Sequence, residues 1–172
     1  MTQRQTARIA IVTVSDRASR GEYEDRGGPA AEAWLREVVT SPIEITRQII
    51  PDGREGVAAT LRQLADGDGA DLILITGGTG PAPRDETPEA LAEVIEKELP
   101  GFGEEMRRAS LAEGVPTAIL SRQTAGIRDA CLMITLPGKP AAIGTCLDAV
   151  FAAVPYCLDL IGAARIETDA DR

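Results

Sequence analysis

The run Asp71-Leu72-Ile73-Leu74-Ile75-Thr76-Gly77-Gly78-Thr79-Gly80-Pro81-Ala82-Pro83-Arg84-Asp85-Glu86-Thr87-Pro88 decides how the rest of the chain is read. Four consecutive aliphatics, Leu72 to Ile75, bounded by turn residues predict a short strand buried on both faces, as in the middle of a parallel sheet. Gly77, Gly78 and Gly80 then allow positive φ and bring backbone N–H groups close to a ligand. Thr87-Pro88-Glu89 predicts a helix start, with Thr87 as N-cap, Pro88 at the first helical position and an acid in the first turn. The stretch is thus a strand, a glycine loop carrying Thr76, Thr79, Pro81, Arg84 and Asp85, and a helix. Ligands of open α/β sheets gather at such strand ends, so the active site is expected here.

The loop matches neither common phosphate pattern. No Lys-Ser or Lys-Thr follows Gly80, which excludes a P-loop, and Pro83 stands where a dinucleotide fingerprint needs its third glycine.

Upstream, Ile9 to Val14 predicts a central strand ending in the donor-rich segment Ser15-Asp16-Arg17-Ala18-Ser19-Arg20-Gly21. A helix runs from after Gly27-Gly28-Pro29 to about Val39, stopped by Pro42. Ile43 to Ile50 alternates in its first half and predicts a strand nearer an edge, ending in Pro51-Asp52-Gly53. Taken alone, Asp52 reads as an ordinary turn residue. A helix follows over about Arg54 to Leu64, and Asp66 to Asp71 is a helix-to-strand turn rather than a calcium loop.

Downstream, helices are predicted from Pro88 to about Glu98 and from about Gly103 to Ala112, with a break at Pro100-Gly101. Glu104, Glu105, Arg107 and Arg108 form a solvated face in this reading. The apolar run Val115 to Leu120 leads into Ser121-Arg122-Gln123. Cys131 to Leu136 is the last strand and ends in Pro137-Gly138-Lys139-Pro140. A helical region from Ala141 to about Ile161, bent near Pro155, closes the chain. Met1 to Ala7 is expected to be frayed and Arg165 to Arg172 a mobile tail. The order β-α-β-α-β-α-α-β-α predicts a three-layer α/β sandwich, a mostly parallel sheet between helices joined by right-handed crossovers. One domain over residues 1–172 is expected, with its core in residues 8–162.

Composition narrows the chemistry. The net charge of −9, from 18 basic and 27 acidic residues, argues against nucleic-acid or anionic-membrane partners. Phosphate binding would therefore need local cations, backbone N–H groups or a divalent metal. Only 3% of the residues are aromatic against 44% hydrophobic, so the core must be aliphatic. Cys131, Cys146 and Cys157 suggest neither a disulfide framework nor a zinc site and read as small core hydrophobes. Met1 to Arg8 lacks a signal-peptide core, and Asp148, Pro155 and Asp159 interrupt the apolar tract Leu147–Ala164, so a cytoplasmic protein is expected. Histidine is absent. That excludes Ser-His-Asp and Cys-His catalysis and leaves carboxylates, Arg, Lys, hydroxyls, backbone dipoles or an oxygen-ligated Mg²⁺.

The string Thr-Gly-Gly-Thr-Gly-Pro-x-x-Arg-Asp-x-Thr-Pro-Glu-Ala, Thr76 to Ala90, resembles the signature of the molybdenum-cofactor biosynthesis family. That family includes molybdopterin adenylyltransferases and related domains of gephyrin and of molybdopterin molybdenumtransferase. Further segments resemble it in register: Thr13-Val14-Ser15-Asp16-Arg17, Ile-Ile-Pro before Asp52, Pro100 to Arg107, Ala118-Ile119-Leu120-Ser121-Arg122 and Leu136 to Pro140. The likeness covers residues 8–162 and is greatest to the stand-alone bacterial branch. The Leu147–Val154 segment looks shorter than in relatives carrying an insertion there.

The resemblance implies transfer of AMP from ATP to the terminal phosphate of molybdopterin, with Mg²⁺ required. It places the two key acids on Asp52 and Asp85, both as catalytic residues and as metal ligands. Gly77 to Gly80, with Thr76, Thr79 and Pro81, would cradle a phosphate or the pterin. Ser15, Asp16, Arg17, Ser121, Arg122, Pro137, Gly138 and Lys139 would hold the remaining anionic groups. It also implies a homotrimer and a transient contact with the molybdenum-inserting enzyme. Two alternatives stay open: Asp85 orients Arg84 or caps the helix with Thr87, and the chain is a non-catalytic molybdopterin-binding or scaffold module.

Overall fold

A computed structural model describes residues 6–169. Six strands form one sheet in the order β2-β1-β3-β6-β5-β4. The four parallel strands are β1 (Ala7–Val14), β2 (Ile43–Ile50), β3 (Leu72–Thr76) and β6 (Cys131–Leu136). The antiparallel pair at one edge is β4 (Lys97–Glu98) and β5 (Ala125–Arg128). As expected, β3 is central and wholly buried, and β2 is an edge strand with an exposed pattern.

The pleat sends alternate side chains to opposite faces. On one face Ile9, Ile11, Leu72, Leu74, Leu132 and Ile134 pack under α2 (Gly27–Val38), α5 (Pro100–Ala112), α6 (Pro140–Val150) and α7 (Val154–Ile161). On the other, Ala10, Val12, Ile73, Ile75 and Met133 pack under α3 (Arg54–Arg62) and α4 (Thr87–Val94). Each fully buried aliphatic contributes about 1.5–3 kcal/mol, which makes this two-sided core the main source of stability.

Several boundaries depart from expectation for identifiable reasons. Ser15 caps a short helix, α1 (Asp16–Ser19), by accepting from Ala18 N at 3.2 Å, so the first loop is partly helical. Thr87 is not an N-cap but the first helical residue, and its hydroxyl donates to Gly77 O at 2.9 Å. α4 ends at Val94 rather than near Glu98, because Glu96 and Lys97 turn to pair with Ile127. Pro100 starts α5 instead of breaking a helix, as suits a residue lacking an N–H. The apolar run before Ser121, left without an assigned element in the sequence, is a 3-10 helix over Pro116–Leu120. β4 and β5 have no counterpart in the sequence reading.

The region Pro140–Ile161 is long and apolar enough to cross a membrane by length and composition, with a mean hydropathy of 1.7. It is interrupted by a 3-10 turn at Phe151–Ala153 rather than at Pro155, which sits in the first turn of α7. Ile143, Leu147, Phe151, Val154 and Leu158 lie in the core against the sheet, the pattern of a packed helix pair.

The tail expectation is corrected for residues 165–169. Ile166 is 1% exposed, Thr168 bridges Val39, and Glu167 N donates to Ser41 Oγ at 2.9 Å. The frayed-end expectation for residues 1–5 and the tail expectation for 170–172 lie outside the described residues; Ala7 already belongs to β1 and is buried. Cys131 and Cys146 are buried as expected, whereas Cys157 is only half-buried.

Candidate active site

The register sets the site. Val14 pairs with Ile50, Thr13 with Thr76 and Thr76 with Leu136, so the four parallel strands end level with one another. Their next residues, Ser15, Pro51, Gly77 and Pro137, therefore leave the sheet along one edge. Four short loops from distant parts of the chain meet there.

Asp52 lies two residues past the end of β2 and is half-buried. Its Oδ2 accepts from Asp16 N at 2.9 Å, and Asp16 Oδ1 accepts from Asp52 N at 3.0 Å. Its Oδ1 lies 3.5 Å from where a Cβ on Gly78 would sit. Asp85 approaches the other end of the same turn: its Oδ2 is 2.8 Å from the corresponding point on Gly80 and accepts from Ala82 N at 3.1 Å. Asp85 thus braces its own loop rather than capping α4. The pKa of Asp52 is raised above the ordinary value, first by burial and then by the charges of Asp16 and Asp85, while the Asp16 N–H and Arg84 pull it down. Two carboxylates face one glycine turn and repel each other across it.

The turn itself is fixed by its carbonyls. Gly77 O accepts from Thr87 Oγ1, Gly78 O from Thr87 N, Thr79 O from Arg122 N and Gly80 O from Arg122 Nε. Gly77 N donates to Leu136 O, continuing the sheet. Among the described residues, the N–H groups of Gly78, Thr79 and Gly80 donate to no protein acceptor. Gly77 and Gly78 adopt φ of +95° and +67°, and a side chain at either would collide, with Val14 O and Thr87 Oγ1 respectively. A turn whose oxygens are engaged and whose N–H groups are open suits an anion.

The structure redistributes the other expected residues. Thr76 is 1% exposed and donates its hydroxyl to Pro137 O at 2.8 Å, which ties β3 to the β6 loop, and it borders a small cavity with Ser15 and Gly77. Arg122 is also turned inward: besides Gly80 O it reaches Asp85 O at 2.7 Å and ion-pairs with Glu89. It positions the loop that carries Asp85. Arg17 is exposed and stacks over the Tyr23 ring at 5.0 Å, at the margin of the site. Ser15, Gly77 and Gly138 line a small cavity of about 150 Å³ with Gly27 and Arg26. Ser121 and Lys139 line a larger one of about 280 Å³ on the far side of Pro137. Pro81 is exposed on the loop.

Three residues here escaped the sequence reading. Arg107, expected in a solvated face, donates to Gln123 O at 2.8 Å and Ser121 O at 3.3 Å, fixing the segment that holds Arg122. Asp25 caps α2 through Gly28 N and accepts from Thr13 Oγ1. Glu89 is the partner of Arg122; its place in the first turn of α4 was the only hint.

The donor set fits Mg²⁺. Asp52 and Asp85 supply two hard carboxylates, and no group of three or more metal-ligating side chains gathers among the described residues. Mg²⁺ characteristically takes one or two protein carboxylates and completes its shell with water and substrate phosphates.

Fold and site together define an α/β protein with a glycine turn of open N–H groups between two carboxylates at the carboxyl edge of its sheet. Comparison with known proteins places that class more closely. Residues 10–156 match the family model described as a probable molybdopterin binding domain, and the chain belongs to that family. A molybdopterin adenylyltransferase of Helicobacter pylori is 53% identical, covering 91% of this chain and 89% of the relative. That of Escherichia coli K12 is 46% identical over 95% and 89%. Among solved structures, the molybdopterin biosynthesis enzyme MoaB of Thermus thermophilus superposes with a TM-score of 0.82 at 41% identity, covering 91% of this chain and 96% of that one. The Mog protein of Mycobacterium ulcerans also reaches 0.82, at 34% identity over 90% and 99%. The three-layer fold with a mostly parallel sheet, expected from element order, is the fold of these neighbours.

Proposed function

We propose that this chain is a molybdopterin adenylyltransferase, transferring AMP from ATP to the terminal phosphate of molybdopterin. The observation that carries the reading is the convergence of Asp52 and Asp85 on the open N–H groups of Gly78 to Gly80. It is supported by the adenylyltransferase names of relatives that match nearly end to end.

The chemistry suits a protein without histidine. A phosphate monoester, with a second pKa of about 6, is largely dianionic at neutral pH and attacks without a general base. One of its oxygens bonds to the α-phosphorus of ATP, the bond from that phosphorus to the bridging oxygen breaks, and pyrophosphate leaves with the electron pair. The obstacle is repulsion between two anionic substrates, so positioning and charge stabilisation carry the catalysis. Asp52 and Asp85 would hold Mg²⁺, which when bound offsets phosphate charge and assists departure of pyrophosphate. Gly78, Thr79 and Gly80 would direct their N–H groups at phosphoryl oxygens. Arg122, Glu89 and Arg107 keep the loops that present these groups in place.

The same reading includes a cytoplasmic homotrimer, with transient contact to the molybdenum-inserting enzyme. Exposed apolar side chains, Ile119 at 71%, Tyr156 at 69% and Leu160 at 68%, support self-association. The test is direct: protein, ATP, Mg²⁺ and molybdopterin are mixed and pyrophosphate is measured. Release that depends on molybdopterin and disappears in Asp52→Ala and Asp85→Ala is expected. Molybdopterin binding without any pyrophosphate would assign the chain to a non-catalytic binding module instead.

A further inference from the structure

Thr87 is the first residue of α4 and is 1% exposed, so its side chain lies out of a substrate's reach. Both of its donors are nevertheless spent on the glycine turn. The hydroxyl donates to Gly77 O at 2.9 Å and the backbone N–H to Gly78 O at 3.1 Å. The hydroxyl also fills the space that a side chain on Gly78 would need.

A trans peptide unit is planar, and its C=O and N–H point in opposite directions. A donor that holds the oxygen of one residue therefore aims the N–H of the next. Holding Gly77 O turns Gly78 N–H away from α4, and holding Gly78 O does the same for Thr79 N–H. The Gly80 N–H shares its peptide unit with Thr79 O, which accepts from Arg122 N at 2.8 Å. Gly77 and Gly78, both at positive φ, have no side chains to stiffen the turn, so its shape is imposed from outside. Helix α4 is a firm base for this, because Ala90, Leu91 and Val94 are buried in the core.

We propose that Thr87 is a positioning residue whose hydroxyl aims the Gly78 N–H at a phosphoryl oxygen of a bound substrate, between Asp52 and Asp85. Threonine suits the task, since its branched β-carbon restricts χ1 and with it the direction of the hydroxyl. The proposal rests on the adenylyltransferase reading, in which both substrates carry phosphate.

The test compares Thr87→Val, which keeps the branched shape and removes the hydroxyl, with Thr87→Ser, which keeps the hydroxyl. Pyrophosphate release gives kcat/KM, and urea unfolding gives the folded fraction under assay conditions. Per folded molecule, Thr87→Val should lose about tenfold or more in kcat/KM, and Thr87→Ser should recover most of that loss. Amide NMR reads the aim itself. Titration with ATP and, separately, with molybdopterin should shift the Gly78 N–H in wild type, and the ligand that does so identifies whose phosphate is held. In Thr87→Val the Gly78 response should shrink while that of Gly80 stays. Folded Thr87→Val with wild-type kcat/KM, or Thr87→Ser as slow as Thr87→Val, overturns the proposal. If Thr87→Val does not fold, the wild-type titration decides. A Gly78 N–H that neither ligand moves, in a chain that still releases pyrophosphate, overturns the proposal and leaves the functional reading intact. A shifted Gly78 N–H without any pyrophosphate keeps the aiming role and sinks the adenylyltransferase reading.

Discussion

Asp16 and Asp52 each accept the other's backbone N–H, at 3.0 and 2.9 Å. This reciprocal pair joins the ends of β1 and β2 and fixes one oxygen of Asp52, leaving Oδ1 toward the glycine turn. The arrangement places an acidic group where burial and two like charges disfavour ionisation, so the site is held at some expense to stability.

Asp52→Asn should therefore stabilise the fold at neutral pH while abolishing nucleotide transfer. The folded pKa of Asp52 is raised, so ionised Asp52 opposes folding at pH values above that pKa. The amide oxygen of Asn keeps the bond from Asp16 N, and the charge penalty disappears. Melting curves should show the variant ahead at pH 7 and equal to wild type at pH 3, where Asp52 is protonated in both states. Turnover should fall by about 10³-fold or more, in line with the removal of a principal electrostatic group.

Arg122→Ala separates positioning from stability. Its ion pair with Glu89 is about one-third exposed on both sides, and such pairs contribute only about 0–1 kcal/mol. A loss of turnover larger than this implies is expected, because Gly80 O and Asp85 O lose their donor. The hydrogen bond from Arg122 holds the Glu89 carboxyl below its usual range. The stabilising contribution of the pair is thus present above the ordinary glutamate pKa and is lost as pH falls through the folded value. Urea melts should show a larger wild-type advantage at pH 7 than at pH 3, the remainder at low pH coming from the bonds to Gly80 O and Asp85 O.

Gly78→Ala tests the turn. The residue sits at φ +67°, and its Cβ would strike the Thr87 hydroxyl that holds Gly77 O. Destabilisation of about 1–3 kcal/mol in chemical denaturation is expected. Gly56→Ala, where a Cβ meets nothing within 4 Å, should lack that penalty.

Thiol titration checks the core. Burial pushes Cys131 up to about 12 and raises Cys146 and Cys157 as well. Native protein at pH 8 should label slowly at Cys157 alone, and urea should expose three thiols. Rapid labelling of Cys131 would contradict the packing.

Ile166→Ala should destabilise by about 2–4 kcal/mol, the usual result for a buried aliphatic. Its 1% exposure places it in the core beside α2. An unchanged melting temperature would restore the mobile tail that composition suggested.

The strands were legible because Leu72–Ile75 and Cys131–Ile134 are continuous apolar runs, and β2 because its polarity marks an edge. β5 was not, since Ala125-Gly126-Ile127-Arg128 has little apolar length and is held by pairing with β6 and close approach to Ile95. Arg107 looks like a surface charge in sequence and Arg122 like an anchor for an anionic group; only the neighbouring carbonyls reveal that both hold loops in place.

The sequence by itself determined the aliphatic layers, the loops at the strand ends, the absence of histidine chemistry and the acids proposed for the site. Those properties follow from local composition and periodicity, together with a recognisable string around the glycine turn. Tertiary structure alone decided that Asp16 and Asp52 exchange hydrogen bonds, that Arg122 braces the turn, and that Gln123 lies unpaired beside a cavity. The first two join residues 36 and 42 apart and the third depends on a partner group that is missing, and none of these leaves a mark in the local order of residues.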